Sequence, residues 1–352
     1  MDAAGIVAHV GRKGLGFALT DSAGELVASS MRRYGSEQNS SVSGALSTFQ
    51  HDSKLARLPA NLAIAVAGLP RGDAISITHT RWYVSRSGLQ AMLGRPPLIL
   101  NDFEAEAWAL GDHRNHRLLP LGAIPGVCLQ RPGTYCVVGM TSGLGVSVLV
   151  HDPDGGVNVL ATEAGHAGFA PASRTMADLV AAIFPDRYPV VAEHLISANG
   201  LVAIYNELAR AQKLEKRFTK PEDITRLAGI DPLARKACEL LCEAFWTYTS
   251  GLVLSFGAWD GVIVTGKLAV ALREILALGS MAGVFQGTGK YMRLLASVPR
   301  SVTALEHGEL SGAARALAHH TSRETSPSRP SERPGGVPSF LRHTERSPIL
   351  PL

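Results

Sequence analysis

The N-terminal stretch Gly5-Ile6-Val7-Ala8-His9-Val10-Gly11-Arg12-Lys13-Gly14-Leu15-Gly16-Phe17-Ala18-Leu19-Thr20-Asp21-Ser22-Ala23-Gly24-Glu25-Leu26-Val27 alternates apolar runs with turn signals. It reads as strands over 5–10, 15–20 and 26–31, an antiparallel meander whose second turn is Asp21-Ser22-Ala23-Gly24. A helix over roughly 40–54 and an apolar strand over 61–67 follow, then a helix over 85–93, a strand over 97–100 and a helix from Glu104 to 110. The same order starts again near residue 134, with strands over 134–139, 145–151 and 156–160 separated by glycine turns. Helices are expected over 175–183, 189–195, 200–211 and 232–256, then a strand over 260–265, a helix over 269–277, a strand over 301–305 and a helix over 309–318. A meander followed by βα units, twice over, predicts two α/β halves facing each other across a cleft, where small-molecule sites usually lie.

The chain has 352 residues, 46% of them hydrophobic and 18% charged, enough for two cores in an ordinary globular balance. No run approaches the ~18 uninterrupted apolar residues a membrane helix needs. Residues 1–10 have no basic start followed by an apolar run and a cleavage site, so a cytoplasmic protein without membrane contact is expected. Cys238 and Cys242 stand four apart in a helical stretch, but no second pair completes a zinc site, and small apolar core residues are the expected reading. No metal site built from protein side chains alone is expected. Half of the net charge of +4 lies in residues 320–352, whose five arginines outnumber three acids. The rest carries 29 basic and 27 acidic side chains, so no folded nucleic-acid surface is expected. Beyond His319 lie six prolines, six serines and no apolar periodicity, which predicts a disordered tail over 319–352.

Four segments can carry chemistry. Asn101-Asp102-Phe103 ends an apolar strand, a usual place for a general base, with an amide beside it that suits a sugar hydroxyl; a plain helix cap is the alternative. Glu163-Ala164-Gly165-His166 is too rich in small residues for a di-iron helix and reads as a loop presenting a carboxylate and an imidazole, or as a plain surface loop. Thr141-Ser142-Gly143-Leu144-Gly145 lies between strands, where glycines allow backbone to approach phosphate oxygens, although a simple hairpin turn has the same composition. Glu193, next to His194, has by itself the look of an exposed helical carboxylate.

Together and in order, these segments resemble the bacterial glucokinase family of the actin/hexokinase superfamily, from about Gly5 to Ala318. Leu98-Ile99-Leu100-Asn101-Asp102-Phe103-Glu104-Ala105 matches the family's "Ile-Asn-Asp-Phe-x-Ala". Val138-Gly139-Met140-Thr141-Ser142-Gly143-Leu144-Gly145 is similar to its "Gly-x-Gly-Thr-Gly-Leu-Gly", and Glu163–Pro171 to "Glu-Gly-Gly-His-x-x-Phe-Ala-Pro". Glu193-His194-Leu195-Ile196-Ser197-Ala198-Asn199-Gly200-Leu201 is similar to "Glu-x-x-Leu-Ser-Gly-x-Gly-Leu". The resemblance implies an actin/hexokinase-like (ribonuclease H-like) fold of duplicated α/β domains flanking a central cleft. Residues 1–110 plus 303–318 would form the small domain and 111–302 the large one. It implies ATP-dependent phosphorylation of glucose, or a similar hexose, at the 6-hydroxyl. Asp102 would be the base, and Asn101, Asp102, Glu163, His166 and Glu193 would bind the sugar. Gly11, Arg12, Lys13, Thr141, Ser142, Gly143, Gly145 and Gly266 would face ATP. A homodimer is left open.

The nucleotide side departs from the family. Its "Asp-x-Gly-Gly-Thr-Asn" reads His9-Val10-Gly11-Arg12-Lys13-Gly14, so the acid that would assist Mg²⁺ is His9 and the Mg²⁺ site is in question. "Ala-Gly-Gly-Ile" reads Thr265-Gly266-Lys267-Leu268, and "Thr-Asn-x-x-x-Trp" reads Thr78-His79-Thr80-Arg81-Trp82. Arg12 and Lys13 would either supply cationic charge to the phosphates or crowd the loop. The first account keeps an active kinase; the second leaves a sugar-binding pseudokinase with a sensing or partner role. A sugar-responsive repressor is disfavoured, because strand one already begins by Gly5 with no helix-turn-helix before it.

Overall fold

The first meander forms as its turn residues require. Strands β1 (Gly5–Gly11), β2 (Gly14–Thr20) and β3 (Leu26–Tyr34) pair antiparallel. At the β2–β3 turn, the Asp21 carboxylate accepts the Ala23 and Glu25 N–H groups, each at 2.9 Å, in place of backbone partners. Helix α1 (Val42–Asp52) is capped by the Ser41 hydroxyl, and the fully buried β4 (Leu62–Val66) then pairs parallel with β1. A small hairpin of β5 (Ala74–Ser76) and β6 (Tyr83–Ser85) precedes α2 (Arg86–Leu93) and β7 (Leu98–Asn101), which lies parallel to β4 and runs straight into α3 (Asp102–Leu110). The sheet order is β3-β2-β1-β4-β7. The computed structural model describes residues 3–11, 14–35, 41–77, 80, 82–111, 117–215 and 218–325.

The second half repeats this order. After the short β8 (Leu119–Pro120) come β9 (Gly133–Met140), β10 (Leu144–His151) and β11 (Val157–Ala161), again an antiparallel meander. A single 3₁₀ turn, Ala164–His166, leads to α4 (Arg174–Ile183), α5 (Ala192–Leu195), α6 (Ala198–Ala211), α7 (Pro221–Leu227) and α8 (Pro232–Phe256). Strand β12 (Gly261–Thr265) returns parallel to β9. Helices α9 (Lys267–Ala271), α10 (Arg273–Leu276), α11 (Gly279–Gln286) and α12 (Met292–Ser297) carry the chain to β13 (Arg300–Val302), parallel to β12. The second sheet runs β11-β10-β9-β12-β13-β8, so each sheet is a meander whose first strand is flanked by parallel crossover strands. This is the duplicated α/β architecture expected from the repeated element order. The last helix, α13 (Gly308–Thr325), crosses back to the first half, where Leu310, Ala313, Ala314 and Leu317 pack with Val7, Ala63, Leu100 and Ala105.

Some expectations change. The helix expected over 189–195 shrinks to α5, because residues 190–192 spend their backbone bonds on the loop before them. Phe169 N–H donates to Val190 O at 2.8 Å, Ala192 N–H donates to Ala167 O at 2.9 Å, and Gly168 bridges Val191. The helix expected over 269–277 begins at Lys267 and breaks at Leu272 into α9 and α10. The tail expected to be disordered from residue 319 is helical as far as Thr325, because a helix already nucleated by α13's packed face propagates cheaply into polar residues. The His319 ring lies tilted against Trp108 with centroids 5.0 Å apart, Glu324 pairs with Arg95, and the Thr321 hydroxyl returns to Leu317 O at 2.7 Å. Residues 326–352 lie outside the described residues. Cys238 and Cys242 are free thiols buried on α8, the core reading of that pair.

Candidate active site

Asn101 is both a cap and a contact. Its Oδ1 accepts Phe103 N–H at 2.8 Å and Glu104 N–H at 3.4 Å, while the Glu104 carboxylate reaches back to Asn101 N–H at 3.3 Å, a complete capping box. Helix α3 therefore starts at Asp102 rather than Glu104. Capping occupies only the oxygen, so Asn101 Nδ2 remains to donate to Gly68 O at 3.2 Å and Glu163 Oε1 at 3.4 Å. The amide thereby joins the end of β7 to the loop after β11.

Asp102, at the first turn of α3, carries a carboxyl raised to about 7. Burial is the main cause, the negative charges of Glu309 and Glu163 add to it, and the Phe103 N–H at 2.9 Å opposes it. Glu106, one turn on, is pushed up to about 8, first by burial and then by Glu309, although Thr265 Oγ1 donates to it at 2.9 Å. Glu309 opens α13 and stands 4.0 Å from His9 Nδ1. Burial lowers the His9 pKa, Arg33 lowers it further and Glu309 works the other way. His9 thus presents an uncharged ring at neutral pH, lying along the backbone at Gly11.

The loop after β11 is tied down from two sides. Thr162 Oγ1 donates to Val146 O at 2.7 Å and accepts Ala164 N–H at 3.2 Å, and the Tyr248 hydroxyl of α8 donates to Ala164 O. On this turn Glu163 Oε2 lies 4.0 Å from His166 Nε2, with both side chains about half exposed. The 190–192 segment zips to residues 167–169 as described, which places α5 beside the turn. Glu193 Oε2 then accepts the Leu144 N–H at 2.9 Å. His194 turns elsewhere, meeting Arg187 at 2.8 Å and the Phe184 ring.

Thr141 to Gly145 form the β9–β10 turn, closed by Thr141 N–H to Gly143 O at 2.9 Å. Gly266, at φ +96°, lies against it: a Cβ there would stand 2.4 Å from Met140 O and 2.8 Å from Thr141 Cγ2. Gly139 and Gly145 are cross-strand partners, and the Phe103 ring fills the slot they leave. A Cβ on either glycine would fall 1.9 Å from that ring. The head of α3 is thereby wedged onto the β9–β10 hairpin. A cavity of about 480 Å³ lies to one side, lined among others by Arg117, Val270, Arg273 and Thr303. It shares no residue with the cradle and begins one helical turn from Gly266, whose carbonyl accepts Val270 N–H.

A sequence model of the family described as Glucokinase matches residues 6–320. The chain belongs to the glucokinase family. It is 31% identical over 316 residues to the glucokinase of Stenotrophomonas maltophilia strain K279a, covering 88% of this chain and 93% of that protein. The fold is that of the family's solved structures. A glucokinase from an Antarctic psychrotroph superposes with a TM-score of 0.73 at 22% identity, covering 89% of this chain and 98% of that one. The glucokinase of Balamuthia mandrillaris, solved in complex with glucose, superposes at 0.72 with 18% identity, covering 89% and 93%. Both show the actin/hexokinase-like architecture.

Within this glucokinase-family chain, Arg12 and Lys13 lie outside the described residues, as do Thr78, His79 and Arg81. Gly11 and Gly14, which precede and follow Arg12 and Lys13 in the chain, are paired as the ends of β1 and β2. Phe103, Glu106, Tyr248 and Glu309 escaped the sequence reading. Glu106 had a signal, since it stands four residues after Asp102 on the same helix face. Tyr248 and Glu309 act from elements distant in sequence and gave none, and Phe103 stood within Asn101-Asp102-Phe103 without a sign of its distant glycine partners.

Proposed function

We propose that the protein phosphorylates glucose, or a closely similar hexose, at its 6-hydroxyl with ATP, and that Asp102 is the base. The observation that carries this reading is the junction at the head of α3. A desolvated carboxylate there sits between an amide bonded to Glu163 and an aromatic ring seated in the β9–β10 hairpin. Sugar contacts, proton acceptor and phosphate loop are thus parts of one local structure. Phosphoryl transfer asks chiefly for positioning and charge stabilisation, which such an arrangement supplies.

In this mechanism Asn101, Glu163, His166 and Glu193 hold the sugar hydroxyls and aim the 6-hydroxyl at Asp102. Asp102 accepts its proton as the oxygen attacks the γ-phosphoryl. The backbone of Thr141 to Gly145 orients the phosphates, and the nucleoside end extends past Gly266 toward the cavity along α9. Mg²⁺ prefers carboxylate, carbonyl and water oxygens, and position 9 offers an imidazole instead. Among the described residues no three acid, histidine or cysteine side chains converge on one point. The His9 imidazole therefore does not fit the Mg²⁺-assisting place of the acid it replaces, and no step here runs through the ion. The domain division at residues 110 and 303 belongs to the same proposal, with α13 as the element that returns to the small domain.

A coupled assay with glucose, mannose and fructose as acceptors tests the reading. ATP consumption dependent on glucose is the expected result. Glucose binding without ATP consumption would favour the pseudokinase, a reading that family membership does not support. The base assignment also fixes the pH dependence. A carboxyl raised to about 7 is ionised only above that pH, so kcat/KM should fall about tenfold per unit below it. Glu309 contributes to the raised value, so Glu309→Gln should move this acidic limb to lower pH. A wild-type limb near pH 4, or an identical limb in the variant, would count against Asp102 in this environment.

A further inference from the structure

We propose that Glu193 positions the phosphate loop as well as the sugar, and that through it glucose and nucleotide bind interdependently. The proposal rests on the glucokinase reading above and adds to it a specific physical link. That link is the peptide of Leu144. On one side its N–H donates to Glu193 Oε2 at 2.9 Å. On the other its carbonyl faces Gly165, where a Cβ would stand 1.9 Å from Leu144 O. Gly165 lies between Glu163 and His166. Both arms of the sugar cradle therefore close on one residue of the hairpin, and the fit leaves no slack, since a Cβ on Gly143 would stand 2.3 Å from Glu193 Oε2.

A carboxylate offers about four acceptor sites, and the Leu144 N–H uses one of them. Glu193 is only partly buried, and the proposal places a sugar hydroxyl on its other oxygen. The bond to Leu144 is charge-assisted, hence roughly twice as strong as a neutral one. A sugar that fixes the carboxylate rotamer also fixes the Leu144 N–H and, with it, the turn from Thr141 to Gly145. A nucleotide arriving afterwards has less ordering to impose, which makes the coupling positive. Reciprocity requires nucleotide to tighten glucose by the same factor.

Calorimetric titration of the full chain with the non-hydrolysable analogue AMPPNP, with and without saturating glucose, measures the coupling. The expected ratio of the two Kd values in the wild type is at least about 5, the lower end of ordinary coupling. In Glu193→Ala the ratio should fall to about 1, with each arm saturated for the variant's own affinity so that weaker glucose binding does not enter. Glu193→Gln keeps an oxygen that can accept the Leu144 N–H and should retain part of the ratio. Gly143→Ala pushes the carboxylate off the amide and should lose it, an arm that holds even if Glu193→Ala folds poorly. A wild-type ratio of 1 with both ligands bound would overturn this inference and leave the kinase reading intact. An undiminished ratio in Glu193→Ala or Gly143→Ala would overturn it equally. Failure of the wild type to bind glucose at all would strike the kinase reading instead.

Discussion

Asp102→Asn should lower kcat by about 10²-fold or more while glucose binding stays largely in place. The substitution keeps shape and removes basicity. The asparagine Oδ1 can still accept the Phe103 N–H that Asp102 accepts at 2.9 Å, so the first turn of α3 should hold. The binding contacts of Asn101 and Glu163 are untouched. What is lost is the capacity to take a proton from the 6-hydroxyl, an effect on the chemical step rather than on affinity. Stability gives a second readout with a definite sign. A carboxyl raised from 3.8 to about 7 contributes stability that is full below its ordinary pKa and is lost as pH rises from there to about 7, where it ionises in a desolvated place near Glu309 and Glu163. The neutral amide never does so. The melting temperature of Asp102→Asn relative to wild type should accordingly rise between about pH 4.5 and pH 7.5 and stay level above that. Single-turnover kinetics, calorimetry with glucose and melting across this pH range check all three statements. Turnover near the wild-type rate would remove Asp102 from the mechanism.

The fold was legible because the signals for it are local. Two meanders with turn residues at their joints, and an apolar strand after each, dictate β1-β2-β3 with β4 and β9-β10-β11 with β12. The long α8 was readable to the residue, since Pro232 and Gly257 bracket it. Short elements were not legible. Strands β5 and β8 have three and two residues, too few for any alternation to register, and they exist because neighbours pair with them. The cut at Ala318 failed because composition sees the polar residues after it but not the packed helix that carries them on to Thr325.

The site divides the same way. Asp102 and Glu163 stood out as carboxylates in suggestive places, Glu193 only through the resemblance, and Asn101 as a cap whose amide also suits a hydroxyl. Their mutual arrangement lay beyond sequence, because it depends on residues 190–192 giving up helix to pair with 167–169. The electrostatics lay further still. Glu309 is 207 positions from Asp102 in the chain, and it comes near only because α13 crosses back over α3 and β1. The residue that connects base to hairpin, Phe103, was in view from the start within Asn101-Asp102-Phe103, but its partners are glycines, whose role is to leave room.

That room can be tested by filling it. In Gly145→Ala the new methyl would fall 1.9 Å from Phe103 Cδ2 and 2.0 Å from Cγ, inside the ring itself. The ring cannot yield by rotating in place, because Gly139, the cross-strand partner, bounds the same slot with its own 1.9 Å approach to Cε1. Phe103 must therefore leave, or the hairpin must open. Overpacking of this kind costs about 1–3 kcal/mol, occasionally more. The kinetic loss should be larger in proportion, because Phe103 adjoins Asp102 and shares its helical turn. A shift of about 1 Å at that carboxylate suffices for about 10²-fold in rate. Gly145→Ala should thus lose several degrees of melting temperature and about 10²-fold in kcat/KM. Phe103→Ala supplies the control, since it empties the slot that the methyl would invade. The double variant Gly145→Ala with Phe103→Ala should be more stable than the sum of the two single changes predicts, because with the ring gone the methyl meets no clash. Strict additivity, or a Gly145→Ala protein with wild-type melting and turnover, would mean that the ring does not wedge the base onto the phosphate hairpin.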